Sequence, residues 1–336
     1  DKYNLTIKHA LKYAPGASHL TEVPQPQTVV FSDPEVNAYF SSIFRQIMER
    51  FRSLLSKNVA IYSRKSPMEM EQFFSTYLPQ RGSARAGNSG MYHKMRALEI
   101  DVSKYDKSQQ LQLMTTQWYI FLLLGLRESD WNIWTSTQNE SRVNGLAVGI
   151  SLFLWMQRRT GAADTLLGNT MNVMTATAAV TELTPADFDC AAFVGDDGII
   201  ALRHEIDESH IVSDLANTFN LAAKLIRSDY AYFCSSFLVP TDLGVFMMPD
   251  PIKRVGKLGS FTCADEAQLQ ERWQSYKDIM RSYKEVVAVE ALNEAVMARY
   301  NCNESLIGGL NALASLVDDY DSFKSLYSDS MSQIRF

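Results

Sequence analysis

Two short stretches of the chain end apolar runs in carboxylates. Leu98-Glu99-Ile100-Asp101-Val102-Ser103-Lys104-Tyr105-Asp106 carries Asp101 and, five residues on, Asp106. Ala192-Phe193-Val194-Gly195-Asp196-Asp197-Gly198-Ile199-Ile200 carries Asp196 and Asp197 at a tight turn. Carboxylates held close together repel and raise one another's pKa. The usual chemical use for such a set is to share divalent cations, and two cations on adjacent carboxylates are the apparatus for in-line phosphoryl transfer. Each block also has an ordinary explanation. Gly and Asp are common in turns, and a lone Asp106 suits the positive end of a helix. A solvent-facing turn, however, does not need strongly apolar strands on both sides.

Between the acid blocks lies Gln157-Arg158-Arg159-Thr160-Gly161-Ala162-Ala163-Asp164-Thr165-Leu166-Leu167-Gly168-Asn169-Thr170. Thr160-Gly161 reads as a flexible break before a helix. Thr165 and Asn169 are i, i+4 and share one helix face, where a hydroxyl and an amide can hydrogen-bond a sugar hydroxyl and Asp106. The alternative is a capped helix whose polar residues bond locally. Arg158 and Arg159, directly before the break, are candidates for holding a triphosphate, because cationic clamps stabilise a transferring phosphoryl group. Their alternative is a solvated pair.

These residues need elements to position them. Residues 97–102 form an apolar strand, and Asp-Gly between the apolar runs of residues 190–202 signals a hairpin. Asp33-Pro34 caps and opens a helix whose apolar stripe continues through Phe40, Phe44, Ile47 and Phe51. Residues 109–126 read as a buried helix, 127–144 as irregular, 145–155 as a strand or hairpin arm, and 162–179 and 214–223 as helices. Strands follow at 230–239 and 244–248, then a long amphipathic helix or a pair over 266–300, with helix to the end. Strands in the middle and helices at the end give an α+β chain with segregated parts, not an alternating βαβ one.

The chain has 336 residues, enough for two or more subdomains. Its 46% hydrophobic and 21% charged residues are those of a globular protein. The net charge of −6 is not that of a generally basic nucleic-acid binder. Any contact with RNA must therefore use clustered charge, such as Arg158-Arg159 or Arg64-Lys65. Four cysteines without paired spacing fit neither a zinc site nor a disulfide framework. No run reaches the roughly 18 apolar residues of a membrane span, and the start at Asp1 suggests a piece of a longer protein.

The order of the blocks is more specific than any one of them. Asp-x4-Asp, Thr-Gly-x3-Thr-x3-Asn and Gly-Asp-Asp resemble, in sequence, motifs A, B and C of viral RNA-dependent RNA polymerases. Phe219-Asn220-Leu221-Ala222-Ala223-Lys224-Leu225 looks like motif D, and Tyr232-Phe233-Cys234-Ser235-Ser236-Phe237 like motif E. The wording is that of the alphavirus-like supergroup, with closterovirus, bromovirus and tobamovirus replicases similar to it. Gly198 and Val194 stand where many relatives have Ser, and neither change removes a carboxylate.

The resemblance implies a right-hand polymerase with an antiparallel-sheet palm, fingers and a helical thumb. It places fingers with motif F at 1–96, palm at 97–135, a return to fingers at 136–159, palm motifs B to E at 160–259 and thumb at 260–336. Asp101 and Asp196 would bridge two Mg²⁺ ions about 4 Å apart, with Mn²⁺ able to stand in and Asp197 as a secondary ligand. Asp106 and Asn169, with Thr160 or Thr165 beside Gly161, would read the ribose 2′-hydroxyl. Lys224 would be the general acid for pyrophosphate. Its alternative is an exposed lysine at a helix end. Lys8 and Lys12 resemble the basic residues of motif F and, with Arg158 and Arg159, would face the triphosphate. The implied partners are an RNA template and primer, rNTPs, and helicase and capping parts of the same replicase. The implied setting is the host cytoplasm, in replication complexes tied to membranes through those other parts. A reverse transcriptase, which carries a bulky residue in place of Asp106, and a non-catalytic RNA-binding scaffold are the rival readings. Retention of Asp101, Asp196, Asp197 and Lys224 argues against the scaffold.

Overall fold

The structure is a computed structural model, and it describes residues 2–8, 27–78, 96–103, 105–109, 111–145, 149–228, 230–259, 263 and 265–327. Chain contacts divide it into two compact units, residues 1–64 with 98–227 and residues 65–97 with 228–336.

The first unit begins with β1 (Lys2–Lys8), β2 (Gln27–Phe31), α1 (Pro34–Leu54) and β3 (Val59–Ile61). It resumes with β4 (Ala97–Val102), α3 (Tyr105–Ser108), α4 (Leu111–Leu123), α5 (Glu128–Asn139), β5 (Glu140–Gly145) and β6 (Ile150–Trp155). It ends with α6 (Thr165–Thr181), β7 (Phe188–Val194), β8 (Asp197–Leu202), α7 (Ile211–Phe219) and β9 (Ala223–Ser228). One sheet has the order β3-β7-β8-β4-β9 and a second the order β2-β1-β5-β6. Leu98, Ile100 and Val102 of β4, with Phe193 and Ile200 of the hairpin, pack on Val173 and Ala176 of α6 and Ile211 and Leu215 of α7. Five of the six β4 residues are buried and the exposed one is Asp101. The apolar neighbours fix the strand, and the charge at Asp101 is left facing water.

The helix start at Asp33-Pro34 is as expected: the Asp33 carboxylate accepts from the Glu35 backbone N–H at 3.0 Å, and Phe40, Phe44, Ile47 and Met48 are buried. Two stretches differ from expectation. Residues 127–144 are not irregular but form α5 and β5. Their Ser, Thr and Asn content disfavours an isolated helix. The helix forms because Trp134, 1% exposed, packs its ring 4.6 Å from Phe40 and 4.9 Å from Phe44, and such packing supplies most helical stability in proteins. The helix expected over 214–223 ends instead at Phe219, where Asn220 takes a left-handed φ of 56°, a common helix stop. Lys224 therefore lies on a strand and not at a helix end.

The second unit holds α2 (Pro67–Tyr77), β10 (Tyr232–Phe233), β11 (Ser236–Thr241), β12 (Gly244–Pro249), α8 (Pro251–Gly259), α9 (Glu266–Ile279), α10 (Val286–Tyr300), α11 (Ile307–Asp318) and α12 (Tyr320–Ser325). Phe237 and Met248 of its three-stranded sheet share a core with Leu269, Leu292, Val296 and Phe323. The 266–300 segment is a pair of helices joined by a 3₁₀ turn at Arg281–Lys284. β10, β11 and β12 fall in this unit with the C-terminal helices. Among the described residues no helix is long and apolar enough to cross a membrane.

Candidate active site

β8 has β7 on one side and β4 on the other, so the strand carrying Asp101 lies beside the one that begins at Asp197. Within the β7–β8 hairpin Val194 pairs with Asp197, leaving Gly195 and Asp196 as a two-residue loop. Gly195 has φ +60° and Asp196 does not have a positive φ. This is the pattern of a tight turn with glycine first. The loop pair is therefore Gly195-Asp196, not the Asp-Gly expected from the sequence. Asp196 is exposed and Asp197 half-buried. Gly198 is closely packed: a Cβ there would lie 2.9 Å from the Phe193 ring. A side chain at position 198 would therefore need the Phe193 ring to shift.

Two adjacent residues of α6 reach the two acid blocks. Asn169 Nδ2 donates to Asp106 Oδ1 at 2.8 Å. Thr170 Oγ1 accepts the Gly195 backbone N–H at 2.9 Å and donates to the Leu166 carbonyl at 2.7 Å. Tyr105 donates its hydroxyl to the Asn169 carbonyl at 3.0 Å. Burial pushes the Tyr105 phenol well above its ordinary pKa; Arg158 opposes the shift, and Asp196 and Asp106 add to it. Tyr105 is thus a neutral donor within the field of both acid blocks. We expect Thr170→Val, which keeps the shape but loses the acceptor, to destabilise the fold by about 1 kcal/mol, the worth of one hydrogen bond. Urea unfolding checks this: unchanged stability would show that the loop does not need Thr170.

The remaining expected site residues fall differently. Arg158 and Arg159 are not free cations but are 3% and 0% exposed. Arg158 pairs with Asp164 at 2.8 Å, with both side chains fully buried, and also donates to Gln117 and Gln109. Arg159 donates to the Gln157 carbonyl and to Ser141 and lies over the Tyr3 ring. Both guanidiniums are buried among polar partners and are not exposed at the surface as free cations. Thr165 gives its hydroxyl proton to the Arg159 carbonyl at 2.7 Å, the local bonding named above as the alternative. Thr160 is half-buried. Gly161 is not a flexible break: it is held by β2 through its N–H to the Val30 carbonyl at 2.8 Å, and a Cβ there would lie 2.6 Å from Phe31 Cβ. Lys224 is exposed on β9, next to β4. Lys8 ends β1 opposite Gln27, and Lys12 lies outside the described residues.

Sequence reasoning passed over Thr170 and four buried polar residues, Gln109, Gln117, Asp164 and Asn172. One signal was available: Gln117 stands between Met114, Trp118 and Phe121 on the apolar side of α4. Among the described residues no three His, Cys, Asp or Glu side chains stand together as a ready metal centre. The donor chemistry nevertheless fits a hard cation. Mg²⁺ is usually held by one or two carboxylates plus water and substrate phosphate rather than by an all-protein cage, and Asp101 and Asp196 are exposed carboxylates at neighbouring strand ends.

The family described as RNA dependent RNA polymerase matches residues 1–326. The "Replicase large subunit" of Youcai mosaic virus is 30% identical over 333 residues, 98% of this chain and 20% of that protein. The "RNA-directed RNA polymerase" of barley stripe mosaic virus is 32% identical over 330 residues, 97% of this chain and 40% of that protein. The chain thus spans 20% to 40% of the length of these relatives. The crystal structure of the RNA-dependent RNA polymerase of a human picorbirnavirus aligns with a TM-score of 0.62 at 11% identity, covering 99% of this chain and 65% of that one. An insertion-loop deletion mutant of such an enzyme gives 0.59 at 12% identity over 90% and 61%. At these identities the likeness is one of fold: the α+β architecture is that of viral polymerases.

Proposed function

This chain belongs to the RNA dependent RNA polymerase family, and on that premise we propose that it is a polymerase core that extends an RNA strand by template-directed transfer from rNTPs during viral RNA replication. The observation that carries this is the grip of α6 on both acid blocks, Asn169 on Asp106 at 2.8 Å and Thr170 on Gly195 at 2.9 Å. These two bonds tie α6 to both acid blocks, which supports reading them as one site.

In this reading Asp101 and Asp196 hold divalent cations, Mg²⁺ or Mn²⁺, with Asp197 in support. When bound, such ions stabilise the negative charge of the attacking and leaving oxygens. Asp106, oriented by Asn169, accepts a hydrogen bond from the ribose 2′-hydroxyl and separates rNTPs from dNTPs. Lys224, exposed on the strand beside β4, donates a proton to the departing pyrophosphate. The ligands are template and primer RNA with rNTPs. Other replicase parts, helicase and capping among them, would supply partners and the attachment to host cytoplasmic membranes.

A primed RNA template with Mg²⁺ and single rNTPs tests the activity. Template-directed extension is expected, and its absence in the presence of either Mg²⁺ or Mn²⁺ counts against a self-sufficient core. Asp106→Ala and Asn169→Asp are each expected to lower the rNTP-over-dNTP ratio of kcat/KM by roughly 10- to 100-fold, since a site built to bond a hydroxyl discriminates strongly against its loss. Unchanged ratios would remove the ribose assignment.

A further inference from the structure

Behind Asp106 runs a series of buried side chains with a fixed polarity. Asn169 Nδ2 donates to Asp106 Oδ1 at 2.8 Å. Asn169 Oδ1 accepts from Gln109 Nε2 at 2.6 Å. Gln109 Oε1 in turn accepts from Arg158 Nη2 at 3.1 Å and from Asn172 Nδ2 at 2.7 Å. Gln109 is 0% exposed, so water does not offer it other partners.

The ends of this series decide its middle. A guanidinium only donates and an ionised carboxylate only accepts. Two primary amides placed between them satisfy every contact in one arrangement alone: Gln109 turns its oxygen to Arg158, so its nitrogen faces Asn169, so the Asn169 nitrogen faces Asp106. Arg158 is itself locked, by its ion pair with Asp164 at 2.8 Å and by Gln117, whose nitrogen donates to the same Asp164 oxygen at 2.7 Å. The wrong amide orientation would put like against like in a buried place, where a polar group without a partner is costly.

We propose that Gln109 is a positioning residue for ribose selection: anchored by Arg158, it sets the direction of the Asn169 amide so that Asp106 always meets a donor behind it and keeps accepting capacity for the 2′-hydroxyl in front. The proposal rests on Asp106 and Asn169 being the ribose site. It also gives buried Arg158 a part in substrate choice without contact with the nucleotide.

The test is single-nucleotide incorporation on a primed RNA, comparing kcat/KM for each rNTP with its dNTP. Gln109→Glu keeps size and the bond to Arg158 but presents an acceptor to Asn169. The Asn169 amide must then reverse and turn its oxygen to the Asp106 carboxylate. Gln109→Ala leaves Asn169 free to follow Asp106 and keep its direction, although it removes more packing. Discrimination is expected to fall roughly tenfold or more in Gln109→Glu, the worth of a hydrogen bond to a charged group, and less than about threefold in Gln109→Ala. A purely structural role gives the opposite order, because alanine is the larger disruption. If Gln109→Glu does not fold, Gln109→Glu/Asp164→Asn leaves Arg158 one carboxylate and carries the same expectation. Asn169→Asp sets the scale. If it loses discrimination while Gln109→Glu does not, or if Gln109→Ala falls as far as Gln109→Glu, the positioning role is overturned and the ribose site stands. If Asn169→Asp and Asp106→Ala both keep wild-type discrimination, the ribose site falls and the proposal with it.

Discussion

Asp196→Ala is expected to abolish nucleotide incorporation, lowering kcat by roughly 10³-fold or more, while the protein stays folded. Asp196 is exposed, second in a two-residue loop whose shape is set by Gly195 at φ +60° and by the Thr170 bond to the Gly195 N–H. These backbone features and the Thr170 bond hold the turn without the exposed Asp196 carboxylate as their donor or acceptor. Asp101→Ala should behave alike, because Asp101 is the exposed position of a strand otherwise held by buried neighbours. The loss should appear in kcat and kcat/KM together, as for a group that acts mainly in the transition state. Primer extension in Mg²⁺ and in Mn²⁺, beside circular dichroism, is the measurement. Full activity in either variant would rule out its carboxylate as a cation holder. Inactivity with loss of the circular-dichroism signal would instead make it structural.

Arg158→Met is expected to destabilise the first unit by about 3–5 kcal/mol, the usual cost of stranding one partner of a buried ion pair. Asp164, at 0% side-chain exposure, would lose its ion-pair partner and keep hydrogen bonds from Gln117 at 2.7 Å and from the Trp134 indole N–H at 3.3 Å. The double variant Arg158→Met/Asp164→Leu removes both charges and should recover much of the loss, since buried pairs replaced by apolar residues are often neutral. Urea unfolding followed by tryptophan fluorescence reads this out, Trp134 being in contact with the pair. Wild-type stability with a raised KM for rNTPs would instead return Arg158 to the triphosphate.

Much of the site was legible because its chemistry depends on residue type and spacing. The apolar runs around Asp101 and Asp196, the cap at Asp33 and the i, i+4 relation that puts Asn169 on a helix are local properties, and local sequence records them. The meeting of Asn169 with Asp106 was legible as one option from residue type and helix spacing, and the order of the motifs favoured it over local bonding. The fate of Arg158 and Arg159 was not legible. A charged pair before a loop reads as a surface feature, and only long-range closure of α4, α6 and the strands around them supplies the buried partners Gln109, Gln117 and Asp164. α5 was missed for the same reason, since its stability comes from the Phe40 and Phe44 rings rather than from its own residues.

The sequence by itself determined which atoms can do chemistry: carboxylates at two strand ends, an amide that can reach one of them, and a lysine beyond the second acid block. The tertiary structure alone decided which of those atoms remain available. Hydrogen bonding inside a protein is exclusive. The Thr165 hydroxyl is taken by the nearby Arg159 carbonyl, the Arg158 guanidinium by Gln109 and Gln117 brought from elsewhere in the chain, and Thr170 and Gln109 reach the acid blocks and Asn169 through equally distant contacts.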